Sequence, residues 1–279
     1  MSLLGKPDDL YVRARRALLD AAEALAEHLH AVVLVGAQAL YLHTGDAELA
    51  VAEYTTDADF AIHPSDLADE PLIADLLEAI GFTTDGQPGR WSSSDGIPVD
   101  LMVPEQLAGP GSRGADLGPH GRRTARRAKG LEAALVDRER RTIKALDPAD
   151  DRSIEISIAG PGALLVAKVH KIADRSTAAD RLSDKDALDV LRLLQSVSTD
   201  DLCARLVSLQ RNDLSGSVTN EAIAQADVLF GAANGIGVRM AMQAVGTLEN
   251  PDFVASSMVA LVGDLLDELA ARPHQGPSN

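Results

Sequence analysis

The chain has 279 residues, 46% of them hydrophobic, enough to bury a full core in one large domain or two modest ones. Its single cysteine, Cys203, excludes an intramolecular disulfide and a cysteine-built zinc site, and fits a reducing compartment. A net charge of −16 argues against nonspecific polyanion binding, and no window approaches the ~20 apolar residues that span a bilayer, so an unexported cytoplasmic protein with no membrane partner is expected.

Leu10, Val12, Ala17, Leu18, Ala21 and Leu25 recur at helical spacing and predict an amphipathic helix over residues 8–28. The run 31–35 is short, apolar and β-branched, which predicts a buried strand, and Gly36 then leads into a short helix over 37–43. Such a turn presents backbone N–H groups to an anion. Residues 57–62 alternate polar and apolar like a half-buried strand, a helix follows over 69–80 with Pro71 in its first turn, and strands are expected near 90–93 and over 98–103. Five glycines and two prolines make 109–121 a loop, and it lacks the Gly-Lys-Ser/Thr ending of a Walker A sequence. Further strands are expected near 133–137, 141–146 and 153–158. From 161 onward the pattern is helical: 161–175, 184–195, 200–210, 219–230, 237–246 and 251–272. The fold class is therefore α+β, with a mixed-sheet domain over 1–160 and a helical domain over 161–279.

On a strand, Asp57 and Asp59 project to one face while Ala58, Phe60 and Ile62 face the core, and Asp100 leaves the polar face of its own strand between Val99 and Leu101. Adjacent carboxylates repel unless a cation lies between them, so the pattern reads either as an oxygen-only site for Mg²⁺ or as a solvent-facing edge. Lys168, Lys171 and Arg175 fall on one helix face, either to grip an anion or as snorkelling surface cations. Asp186 follows Ser183 in a capping spacing, and Asp189 lies four residues after Lys185, the spacing of an ordinary helical ion pair. Residues 122–144 carry nine basic side chains against three acidic ones, which reads as a solvated loop with strand edges or as a nucleic-acid contact. His43 and His170 have no metal-ligand spacing, and Trp91 reads as a strand-packing residue.

The segments Val33-Leu34-Val35-Gly36-Ala37-Gln38-Ala39-Leu40, Tyr54-Thr55-Thr56-Asp57-Ala58-Asp59-Phe60 and Val99-Asp100-Leu101-Met102 are joined by Lys168 to Arg175 and Asp184 to Val190. Together they resemble the nucleotidyltransferase superfamily that shares the DNA polymerase β palm, and within it the AbiEii/AbiGii-type toxin family, to which the mycobacterial MenT toxins belong. The resemblance covers residues 33–190. It implies a palm-like core in which Asp57, Asp59 and Asp100 bind Mg²⁺ or Mn²⁺ and Asp100 serves as the base. It further implies that Gly36 and Ala37 approach the triphosphate, with Ala37 standing where many members carry a glycine or a serine. Lys168 would contact phosphate beside Lys171 and Arg175, oriented by Asp186 and Asp189. The function it implies is transfer of a nucleoside monophosphate from an NTP to a tRNA 3′ end by a toxin restrained by a cognate antitoxin. Two other readings stand beside it. One is transfer to an aminoglycoside or lincosamide, favoured by the acidity of the chain; the other is a nucleotide- or partner-binding protein without catalysis, favoured by Ala37.

Overall fold

Four apolar residues in succession leave Val32–Val35 no side to turn toward water, and all four are buried. In the computed structural model, which describes residues 9–45, 55–176 and 184–272, this strand, β1, lies inside a mixed eight-stranded sheet. It pairs antiparallel with β2 (Ala58–Ile62) and parallel with β8 (Ser153–Ala159). On one side β2 is followed by β5 (Pro98–Pro104), β4 (Arg90–Ser92) and β3 (Thr83–Thr84). On the other, β8 is followed by β7 (Arg138–Lys144), giving the order β3-β4-β5-β2-β1-β8-β7. A short strand, β6 (Arg126–Ala128), runs parallel to the C-terminal half of β5. The amphipathic helix α1 (Asp9–Ala24) packs on β2, β5 and β8, and α2 (Gly36–Thr44) packs on β1 and β2.

Six helices follow the sheet: α4 (Pro161–Ser176), α5 (Asp184–Ser196), α6 (Thr199–Gln210), α7 (Gly216–Phe230), α8 (Ile236–Val245) and α9 (Pro251–Ala271). The chain is thus α+β, a mixed sheet followed by a helical region. One continuous apolar core runs through both, because α2 packs against α4 and α5. The N-terminus of α4 is capped from the sheet side: the Asp137 carboxylate accepts from Ala163 N at 3.1 Å and is itself held by Arg205 at 2.7 Å. Among the described residues no helix is long and apolar enough to cross a membrane.

Several expectations need correction. Residues 133–137 are not a strand: Glu132–Leu135 is a 3-10 turn whose alanines and leucine are buried, a short apolar run whose burial comes without pairing. The helix expected over 69–80 begins later, as α3 (Ile73–Ala79), with Pro71 ahead of it. Asp57 precedes β2 instead of lying on it, and β3 and β6 were not anticipated. Trp91 is a packing residue, buried on β4 with its indole N–H donating to Thr124 O at 3.1 Å.

Candidate active site

The turn from β1 into α2 is made by Gly36, in the left-handed region with φ of +70°. A Cβ there would stand 2.1 Å from Asp59 Oδ2, so the carboxylate of Asp59 rests against bare backbone that any side chain would cover. Asp59 pairs with Val35 across β1–β2 and with Asp100 across the parallel β2–β5 ladder, which puts both carboxylates on one face of neighbouring strands. Asp57 sits just before β2. Its side chain accepts from Thr55 Oγ1 at 2.6 Å, and its backbone carbonyl accepts from Gln38 Nε2 at 2.9 Å. Gln38 is buried, and Arg15 Nε donates to its Oε1 at 2.8 Å, which fixes the amide so that its nitrogen faces Asp57.

Burial raises the Asp59 carboxyl, the neighbouring charges of Asp57 and Asp100 raise it further, and Lys171 and Arg126 oppose them; the result is a group pushed up to about 7. Asp100 has its own cation: Arg126 Nη2 and Nε reach its Oδ2 at 2.8 and 3.2 Å.

Facing these strands, α4 and α5 form a buried charge cluster. Lys168 Nζ donates to Asp186 Oδ1 and Asp189 Oδ2, each at 2.7 Å, and all three residues are buried. Lys171 at 3.0 Å and Arg175 at 3.2 Å also pair with Asp186, and Tyr41 OH donates to Asp189 at 3.4 Å. Burial works to strip the Lys168 proton, but the two aspartates outweigh it and hold the ammonium above the usual lysine range. Burial likewise opposes ionisation of Asp186, and Lys168 and Lys171 override it to hold that carboxyl well below its usual value. Asp186 and Asp189 are therefore interior residues, and Asp189 is not an ordinary surface ion pair.

Between the two halves opens a cleft of about 550 Å³. Gly36, Asp59, Lys168, Lys171 and Arg175 line it, whereas Ala37, Asp57, Asp100, Asp186 and Asp189 do not. The opposite wall carries Arg126, Arg127 and Lys129, which the sequence offers only as three of the nine basic residues in 122–144. The register of β6 against β5 splits that tract. Arg126, Arg127 and Lys129 line the cleft, while Arg140 and Arg141 on β7 pair with Glu155 and Glu139. Six cations and three carboxylates, Asp59, Glu105 and Asp174, thus line the cleft of a chain with net charge −16.

His43 and His170 hold structure: the first bonds Ala159 O at 2.9 Å and the second Val218 O at 2.8 Å. Tyr54 and Ser183 lie outside the described residues. Among the described residues no group of three or more His, Cys, Asp or Glu side chains is arranged to hold a metal ion, and Asp100 is engaged by Arg126. The donor set still suits Mg²⁺ or Mn²⁺. Such ions are held by one or two carboxylates with substrate phosphates completing the shell, and Asp57 and Asp59 are the close, mutually repelling pair. Comparison of the chain with family models, with curated proteins and with solved structures finds no match.

Proposed function

We propose that the chain is a divalent-metal-dependent nucleotidyltransferase that moves a nucleoside monophosphate from an NTP onto an acceptor, with an RNA 3′ end such as that of tRNA as the acceptor. One observation carries the reading: Asp59, beside Asp100 and against the bare turn of Gly36, opens onto a cleft lined by twice as many cations as carboxylates. That arrangement suits a triphosphate and a phosphodiester chain. It disfavours the cationic antibiotics, which the overall acidity of the chain would attract, because the charge that such a drug would meet inside the cleft is positive.

Asp57 and Asp59, with Asp100 beside them, would hold the metal, which supplies Lewis-acid neutralisation of phosphate charge when bound. Lys171 and Arg175 are partly exposed on the cleft wall and would receive the phosphates. Lys168 is clasped by Asp186 and Asp189, so it acts by fixing α4 against α5 and by its field in the cleft. The acceptor hydroxyl oxygen bonds the α-phosphorus as the α–β phosphoanhydride bond breaks, pyrophosphate leaves with the bonding pair, and the hydroxyl proton passes to Asp100. The work asked of the protein is positioning and charge neutralisation.

The test is incubation with each α-labelled NTP, Mg²⁺ or Mn²⁺, and total tRNA, beside a panel of aminoglycosides and lincosamides. Label is expected in tRNA and absent with Asp59→Ala. A folded Asp59→Ala protein with full activity overturns the assignment, and label in a drug moves the acceptor class.

A further inference from the structure

The three candidate metal carboxylates are not equivalent. Asp57 is bound by a hydroxyl and Asp59 lies half-buried against Gly36, and among the described residues neither forms an ion pair, whereas Asp100 carries a guanidinium through two nitrogens on one oxygen. The chain takes trouble to place that guanidinium. Residue 89 must be glycine for β6 to begin where it does, since a Cβ there would stand 2.3 Å from Leu101 O and 2.4 Å from Arg126 N. Arg126 is thereby the first residue of a three-residue strand, paired to Met102, two residues beyond Asp100 on the same ladder.

The Arg126 side chain is 37% exposed and lines the cleft, so it can leave Asp100 without unpacking the core. Its neighbour Arg127 has different anchors, the carbonyls of Gly109 and Gly111, and Lys129 pairs with Glu221. Of the three cations on this wall, Arg126 alone is tied to a candidate metal carboxylate.

We infer that Arg126 is the resting counter-ion of Asp100, released when metal-bound nucleotide enters, so that Asp100 turns to the metal and Arg126 pairs with a phosphate of the nucleotide. The inference rests on the proposed nucleotidyltransferase reading. It adds a positioning role to a residue that the site's sequence pattern does not include. A guanidinium and a divalent cation compete for the Asp100 carboxylate, and a guanidinium that loses a carboxylate finds in phosphate another acceptor able to take two of its N–H groups. The two equilibria are then linked: metal alone has to displace Arg126, while metal with triphosphate offers Arg126 a new partner.

The linkage predicts opposite signs in two binding measurements. Mn²⁺ binding to the full chain is followed by the loss of the free-ion paramagnetic resonance signal, first without nucleotide and then with a non-hydrolysable NTP analogue. Arg126→Ala is expected to tighten Mn²⁺ alone by roughly three- to tenfold and to weaken the Mn²⁺-analogue complex by a similar factor. Arg127→Ala removes the same charge from the same wall and is expected to leave binding of Mn²⁺ alone unchanged. Arg126→Gln keeps the side-chain length and repeats the measurement should the alanine variant fold poorly.

The inference is overturned if Arg126→Ala or Arg126→Gln leaves Mn²⁺ affinity unchanged or weakens it, if Arg127→Ala tightens it equally, or if analogue binding is indifferent to Arg126. Mn²⁺ binding that is absent, or unaffected by Asp59→Asn, overturns the metal-dependent reading itself and this inference with it. Binding that depends on Asp59 but not on Arg126 overturns this inference alone.

Discussion

Lys168 is an ammonium with almost no access to water, kept charged by two carboxylates that are equally enclosed. Removing it takes from Asp189 the ammonium that it directly pairs with, leaving the Tyr41 hydroxyl and the field of Lys185, while Asp186 keeps Lys171 and Arg175. Lys168→Met is therefore expected to cost about 3 kcal/mol of stability as well as activity, measured by urea unfolding. The same cluster sets an acid limit. Because the folded state holds the Asp186 carboxyl below its unfolded value near 4, its contribution is complete above about pH 4 and is lost as pH falls below that. The stability gap between wild type and Asp186→Asn should narrow as pH falls below about 4; a constant gap would contradict the pairing. At this scale the sequence offered Lys168, Lys171, Arg175, Asp186 and Asp189 through helical spacing and resemblance. Nothing in it distinguished Arg126 from the eight other basic residues around it, because the contact with Asp100 depends on strand register, which leaves no local mark.

Among the elements, the β1–α2 turn is the most constrained. Gly36→Ala would force a left-handed backbone on a residue with a Cβ and drive that Cβ into Asp59 Oδ2. A loss of about 1–2 kcal/mol and displacement of the carboxylate are expected, seen as a lower melting temperature together with loss of Mn²⁺ binding. An unchanged melt with intact Mn²⁺ binding would show that the turn can relax. Strong periodicity made α1 and the helices from α4 onward legible to within a few residues, and the unbroken apolar run made β1 legible. The buried run at 133–137 was not, since a few consecutive apolar residues look alike in a strand and in a 3-10 turn pressed against α4. β6 was missed for the opposite reason. Its three residues, two arginines and an alanine, are all partly exposed, and Gly89's missing side chain admits them beside β5.

Over the whole molecule, charge is sorted by place: a strongly acidic chain encloses a cleft whose lining is net cationic. Bulk repulsion and local attraction then act on the same polyanion at different distances, so acceptor binding should be selective for ends that can enter the cleft. With about three phosphates contacted, affinity for an RNA end should fall on the order of tenfold between about 50 and 200 mM salt, and Arg127→Ala should flatten that slope. Salt-independent binding, read by fluorescence anisotropy of a labelled RNA, would place the acceptor elsewhere. Trp91 has a use beyond packing. It is the only tryptophan in the chain, and its indole N–H is bonded to Thr124, two residues before the arginine that pairs with Asp100. All indole emission therefore originates beside the strand that bears Arg126, so the protein carries a built-in optical reporter of events on that wall of the cleft, with no label to attach.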